Sequence, residues 1–192
     1  DVMRKLPSID SFEPCIVVAG SPNVGKSALI SALSTGEPQV ASYPFTTKQL
    51  HLGHFIHRRR VYQMVDTPGL LDRPMKDRNK IEMQAIAALE HLGDVLLFLI
   101  DRSEQSTTPL SEQDNLLQEV RELLPGRLVL VAETKSDITE KSTGKEDFRI
   151  SSLTGDGLDN MKQSLIDAIG ADIVEDPLSL PENWPREDVD KT

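Results

Sequence analysis

A single cysteine, Cys15, serves the whole chain of 192 residues, so no disulfide can form within it and no cluster of thiolates can hold a metal. Cys15 falls inside an apolar run and reads as a small buried hydrophobe. The scarcity of cysteine fits a reducing compartment and a cytoplasmic protein. Long apolar runs are missing as well. The longest, Val95 to Ile100, is far below the roughly 18 residues of a membrane-spanning candidate, and no signal-peptide pattern opens the chain, so no membrane partner is expected. Basic residues are the minority, 21 against 31 acidic, for a net charge of −10. That balance is opposite to the footprint of a protein that grips nucleic acid over its whole surface, so any RNA contact must be local. The one concentrated basic stretch, His57-Arg58-Arg59-Arg60, lies at a predicted strand-to-strand turn, as a solvated tip or a partner contact.

The length suits one domain with extra peptide at its ends. Residues 1–14 read as a connector, with Arg4-Lys5 followed by Pro7 and Pro14. The first residue is Asp1 rather than Met, so a fragment or a processed chain is expected. Residues 15–170 carry the periodic elements. Residues 171–192 are acidic and hold Pro177, Pro181 and Pro185, which argues against a packed element.

What is abundant is order around one stretch. The apolar run Cys15 to Ala19 leads into Gly20-Ser21-Pro22-Asn23-Val24-Gly25-Lys26-Ser27, and Ala28 to Leu33 then reads as a helix that Gly36 is placed to end. Strand, glycine-rich loop and helix make a cup of backbone N–H groups, with Ser21, Pro22, Asn23, Val24 and Gly25 as its body and Ala28 on the first helical turn. A polyphosphate fits it. Lys26 would reach the β- and γ-phosphates, and the Ser27 hydroxyl would ligate a Mg²⁺ that bridges them.

Glu37 to Gln49 shows no helical or strand period and reads as a movable loop containing Tyr43-Pro44-Phe45-Thr46-Thr47. Phe45 there reads as a hinge anchor or a partner contact. Two β-rich runs, Leu50 to His57 and Arg60 to Asp66, are spaced as a hairpin. Beyond them, helix over 78–92, strand Val95 to Ile100, helix Ser111 to Leu124, strand Leu128 to Glu133, strand Phe148 to Ser151 and helix Leu158 to Ile169 alternate as a parallel sheet with crossover helices requires. The fold class expected is α/β: a mostly parallel sheet of about six strands, one of them antiparallel, with helices on both faces. Ile81, Ala85, Ile86 and Leu89 have a core-facing helical period. His51, His54 and His57 do not make a zinc site, because their spacing along a strand sends alternate members to opposite faces.

Four further signals choose among phosphate-loop chemistries. Asp66 ends a strand and can hold Mg²⁺ through a water. The Gly69 N–H, in Asp66-Thr67-Pro68-Gly69, can bond a γ-phosphate oxygen. Thr47 can close over the nucleotide and offer the metal a second hydroxyl, so loss of the γ-phosphate would release both loops, as in a switch. Thr134-Lys135-Ser136-Asp137 follows a strand. A carboxylate at Asp137 accepts the N1 and 2-amino protons that guanine has and adenine lacks, a discrimination of roughly 10⁴ to 10⁵. The Lys135 stem can lie against the ring, and Ser151-Ser152-Leu153 can offer a backbone N–H to the guanine O6.

These motifs resemble the five consensus motifs of translation-factor-class GTPases. Gly20 to Ser27, Tyr43 to Thr47 and Asp66-Thr67-Pro68-Gly69-Leu70-Leu71-Asp72 are similar to the Obg superfamily, most closely its nucleolar GTP-binding (Nog) branch, as is Val2-Met3-Arg4-Lys5-Leu6-Pro7-Ser8. The likeness covers about residues 2–170 and implies a Ras-like G domain that binds GTP and GDP, uses Mg²⁺, and acts on the precursor of the large ribosomal subunit, its RNA or its proteins. It implies a cytoplasmic setting, or a nucleolar one in a eukaryote, and a monomer in isolation. Members of this family carry a helical domain ahead of the G domain, which these residues do not include.

Two departures stand out. Thr134 replaces the family's usual Asn and should lose a contact between base motif and phosphate loop, on the order of 1 kcal/mol. Leu70 stands where Ras-like enzymes place a water-orienting glutamine, so hydrolysis is slow, at roughly 10⁻⁴ per second unassisted, or charge comes from elsewhere. Asp72, Arg73 and a partner's side chain are candidate sources, and Asn23 is another: in GTPases with a similar loop this asparagine helps to hold K⁺ beside the phosphates. The bland alternative is an asparagine that only stabilises the loop. The activity expected is hydrolysis of GTP to GDP and phosphate, with Lys26, Thr47 and Gly69 as the catalytic set. The competing reading is a non-hydrolysing, GTP-dependent binding module whose loops recruit a partner.

Overall fold

The computed structural model describes residues 13–42, 49–80, 82, 83, 86, 93–139 and 144–172. Its centre is β1 (Cys15–Ala19), buried at every position. A strand covered on both faces reads as a continuous apolar run rather than an alternating one. Accordingly, Cys15, Val17 and Ala19 join one core cluster while Ile16 and Val18 join the other.

Around β1 lie β2 (Gln39–Ser42), β3 (Gln49–His57), β4 (Arg60–Asp66), β5 (Val95–Asp101), β6 (Leu128–Thr134) and β7 (Phe148–Arg149). The order across the sheet is β2-β3-β4-β1-β5-β6-β7. β1 pairs in parallel with β4 and β5, β6 continues the parallel half with β5 and β7, and β3 alone runs antiparallel to its neighbours β2 and β4. The α/β class and the single antiparallel strand agree with the sequence reading.

The strand count differs: among the described residues the sheet has seven strands, not about six. The extra one is β2, in a stretch read as loop. Gln39-Val40-Ala41-Ser42 has too short an apolar signal to declare itself, and it is a strand because β3 offers it an edge, with Val40 opposite His51 and Ala41 opposite Leu50. β7 is shorter than expected, ending at Arg149.

Helix α1 (Lys26–Leu33) packs Leu29, Ile30 and Leu33 on the Ile16 and Val18 face, and α3 (Leu158–Asp172) adds Met161, Leu165 and Ile169 there. Helix α2 (Leu110–Leu123) covers the opposite face with Leu116, Leu117 and Val120. Gly36 does not end α1. The helix stops earlier because Ser34 turns extended, and the Thr35 N–H then donates to the His54 carbonyl of β3 at 2.8 Å. Of the helix read over 78–92, Lys80, Glu82, Met83 and Ile86 are helical and Ile86 is buried, whereas Ile81, Ala85 and Leu89 lie outside the described residues.

Between β3 and β4, Arg58 and Arg59 both take positive φ, 48° and 68°. That is the two-residue turn whose twist matches a hairpin, a geometry that usually selects Asn-Gly. Arg60 lies over the Tyr62 ring at 5.9 Å, and Tyr62 stacks on Phe55 with 5.2 Å between centroids.

Candidate nucleotide site

The phosphate loop leaves the end of β1 and enters α1. At Gly20 (φ 136°) a side chain would strike the Leu99 carbonyl, and Gly25 caps α1 in the left-handed region (φ 110°), so both positions call for glycine. Lys26 is buried and its ammonium donates to the Gly20 and Ser21 carbonyls at 2.8 and 2.9 Å, inside its own loop. Burial pushes the Lys26 pKa down, opposed by the nearby Asp66 and Asp72 carboxylates.

Across the cup stands Asp66, at the carboxyl end of β4 and only 1 % exposed. Parallel pairing sets it level with Val18 of β1. Its Oδ2 accepts a 3.0 Å hydrogen bond from the Ser27 hydroxyl, while Oδ1 is buried with no hydrogen-bond partner among the described residues. Burial raises the Asp66 pKa against the pull of Lys26 and the Ser27 bond. A buried carboxylate with one oxygen unsatisfied, beside a serine hydroxyl, is the donor set a hard dication takes, directly or through water. Ser27 and Asp66 therefore fit Mg²⁺. His51, directly opposite Asp66 in the hairpin register, brings Nδ1 to 3.6 Å from Oδ2. Sequence reading missed that neighbour, although counting pairs back from the turn would have found it.

Gly69 departs from expectation. Its N–H is already engaged within the chain, donating to Asp72 Oδ2 at 2.8 Å. Leu70 is fully buried, as a residue that orients no water would be. Thr47 and the rest of Tyr43 to Thr47 lie outside the described residues.

Beside the loop lies a cleft of about 310 Å³ lined by Val24, Gly25, Ala28, Thr134, Lys135, Asp137, Ser151, Ser152 and Leu153, together with Gln105 and Ile138. Nine expected residues thus meet in one cleft, and two unexpected ones join them. Thr134 corrects a second expectation. The link between base motif and phosphate loop is present, because the Thr134 hydroxyl donates to the Val24 carbonyl at 2.8 Å. A hydroxyl on a shorter side chain does what was expected to be lost. Lys135, in the left-handed region at φ 56°, extends its ammonium to Asp101 Oδ2 at 2.6 Å. The Ser151 N–H donates to the Asp156 carbonyl, which leaves Ser152 and Leu153 as the donors this turn can offer.

The loop bearing Gln105 is held from beneath by Gln113, 1 % exposed. Its Oε1 accepts the Asp101 N–H, and its Nε2 donates to the Asp101 and Thr108 carbonyls, each between 2.8 and 2.9 Å. Gln113 precedes Leu116, Leu117 and Val120 at core-facing helical spacing, so a polar residue in that row was a readable sign of a buried network. Asn23, at φ 62°, is exposed and turns its amide nitrogen to the Thr107 hydroxyl at 3.5 Å. Neither it nor Pro22 lines the cleft.

Residues 15–135 match the family model described as 50S ribosome-binding GTPase. Nucleolar GTP-binding protein 1 of Caenorhabditis elegans is 43% identical over 140 residues, 73% of this chain and 21% of that protein. The Methanocaldococcus jannaschii protein MJ1408 is 44% identical over 144 residues, 74% of this chain and 40% of its own length. The chain therefore spans well under half of these relatives. A crystal structure from Plasmodium falciparum assigned to nucleolar GTP-binding protein 1 superposes with a TM-score of 0.75 at 34% identity, covering 87% of this chain and 91% of that one. The G domain of the T. maritima FeoB iron transporter shares the fold, with a TM-score of 0.66 at 24% identity, covering 81% and 98%.

Proposed function

The chain belongs to the 50S ribosome-binding GTPase family, and from that premise we propose that residues 15–170 form a G domain that binds GTP and hydrolyses it to GDP and phosphate as a molecular switch. The observation that carries this reading is the meeting of two sites on one loop: the Lys26, Ser27 and Asp66 cup at one end and the Asp137 cleft at the other. A nucleoside triphosphate lying along residues 20–28 engages both.

Guanine enters the cleft with its N1 and 2-amino protons on the Asp137 carboxylate, its O6 at the Ser152 and Leu153 N–H groups, and its ring along the Lys135 stem. The loop N–H groups and Lys26 neutralise the phosphates, and Ser27 and Asp66 would hold Mg²⁺, with Thr47 as a further candidate ligand. When bound, Mg²⁺ would supply positive charge to the phosphates. Water attacks the γ-phosphorus in line, the bond to the bridging oxygen breaks, and GDP keeps that oxygen. Lys26 gains in effect because its low-dielectric cup strengthens its interaction with developing charge. Leu70 cannot orient the water, so turnover depends on a cation or a partner. Asn23 is our candidate to hold K⁺, supported by its exposed side chain, whose amide nitrogen rather than oxygen makes the Thr107 contact.

The setting we propose is assembly of the large ribosomal subunit, which the family description and the names of the relatives support, in the cytoplasm or, in a eukaryote, the nucleolus. A second reading, binding without hydrolysis, is favoured by the buried Leu70 alone. Single-turnover hydrolysis of GTP with Mg²⁺ separates the two. Release of phosphate that K⁺ accelerates over Na⁺, with the acceleration lost in Asn23→Ala, is expected. GTP that stays intact in both salts and with large-subunit particles present would leave only the binding module. Co-sedimentation of the GTP-loaded protein with those particles tests the setting.

A further inference from the structure

The Gly69 N–H has one proton to give, and Asp72 Oδ2 takes it at 2.8 Å. The carboxylate is fixed there by its surroundings. Leu70 and Leu71 are buried, the Leu70 N–H closes a turn onto the Thr67 carbonyl at 2.9 Å, and the Leu71 carbonyl accepts the Gly20 N–H at 3.1 Å, the first residue of the phosphate loop. Asp72 follows at once, so its negative charge is delivered against the cup, close enough to act on Lys26. The other oxygen, Oδ1, is buried without a hydrogen-bond partner among the described residues. Arg78 donates to the Gly69 carbonyl at 3.2 Å, holding the next peptide unit of the same turn.

We propose that Asp72 is an internal stand-in for the γ-phosphate and sets the preference between GTP and GDP. This rests on the reading that Gly69 senses that phosphate. Two anions cannot share one donor. A γ-phosphate reaching the Gly69 N–H must expel the Asp72 carboxylate, both by competition for the proton and by like-charge repulsion in a partly buried site. GDP has no group at that position and leaves Asp72 in place. The segment therefore has two arrangements, Asp72 on Gly69 or γ-phosphate on Gly69, and a ligand shifts such a pair only by its differential affinity for the two. Part of the binding energy of GTP is consumed in the expulsion, and after hydrolysis the returning carboxylate competes with the cleaved phosphate and speeds its departure. Asp72 is thus a specificity-determining residue that acts chiefly on the γ-phosphate.

The test compares affinities for GDP and for a non-hydrolysable GTP analogue in the same protein with Mg²⁺. Asp72→Ala should raise the analogue-to-GDP affinity ratio about tenfold, a shift of 1.4 kcal/mol, with the thermal melt of the nucleotide-free protein as the check on folding. Asp72→Asn keeps an acceptor but no charge and should fall between. A ratio within twofold of wild type in Asp72→Ala overturns the proposal. Wild-type protein supplies a measurement that no variant can spoil by misfolding: the NMR coupling across the Gly69 N–H to Asp72 carboxylate bond should be present with GDP and vanish with the analogue. Its persistence with the analogue bound overturns the proposal while leaving GTP binding intact. Wild type that binds neither nucleotide overturns the underlying reading of the site instead.

Discussion

The Thr134 hydroxyl donates to the Val24 carbonyl at 2.8 Å, joining residues 110 positions apart. That bond ties the base cleft to the phosphate loop, and Thr134→Val removes the donor with almost no change of shape. Leaving the carbonyl unpaired costs about 1 kcal/mol, so guanine-nucleotide affinity should drop about fivefold and the unfolding temperature should fall. Thr134→Ser keeps the hydroxyl and should restore most of both. Fluorescent-GDP titration and thermal melts read the two effects, and unchanged affinity in the valine variant would show the link to be idle.

Asp137→Asn exchanges a double acceptor for an amide that carries donors. On the proposed reading the guanine N1 and 2-amino protons then lose their acceptor, and affinity for GTP should fall at least about 100-fold, as sites built for such bonds behave when the pairing is broken. Xanthine carries a carbonyl at C2 in place of the amino group, which an amide can satisfy. Competition between GTP and XTP should reverse in the variant, and retained preference for GTP would remove Asp137 from base recognition.

Burial raises the pKa of Asp66 above its ordinary 3.8, and of Glu133 above its ordinary 4.5 between the flanking Arg102 and Arg149. A raised carboxyl pKa means that the native state binds the proton more tightly than the unfolded chain. Stability then falls as pH climbs from the ordinary value through the raised one, and the penalty is complete above it. Asp66→Asn removes its share. Without nucleotide and with metal chelated, the variant should melt above wild type at pH 7, and the gap should close as pH approaches 4. With Mg²⁺ and GTP the order should invert, because on the proposed reading the variant gives up a metal ligand and with it the stabilisation that binding supplies.

Arg58 and Arg59 occupy positive φ at the hairpin tip, where an L side chain other than Asn or Asp is strained. Replacing the pair with Asn-Gly should raise stability by about 1 kcal/mol in urea unfolding, with hydrolysis by the isolated protein unchanged. If the arginines serve a ribosomal partner, the same variant should bind large-subunit particles more weakly and lose affinity less steeply with salt.

The local signals in the chain announced most of the fold and much of the proposed site. Gly20 to Ser27 declares itself because glycines, lysine and serine must stand in fixed order between a strand and a helix, and Cys15 to Ala19 declares a buried strand by having no polar alternation. Thr134 to Asp137 was legible as a unit for the same reason. What stayed hidden depends on register across distant segments. β2 exists only where β3 lends it an edge. His51 meets Asp66 only through the hairpin pairing. Gln105 reaches the cleft because Gln113 folds its loop, and Asp72 captures Gly69 through a turn whose geometry no residue type dictates. Thr134 was misjudged because a substitution was scored by the group it removes, while the replacing hydroxyl found an acceptor of its own.

The strand order carries one last consequence. β4, which ends in Asp66 and leads to Gly69 and Asp72, lies on one side of β1, whereas β5, β6 and β7, which lead to Gln105, Thr134, Asp137 and Ser151, lie on the other. On the proposed reading, the count of phosphates is taken on one flank of the sheet and the base is held on the other. The nucleotide would then behave as an axle seated in the fixed half, about which the opposite half changes posture. A protein built this way need not let go of its nucleotide in order to change shape.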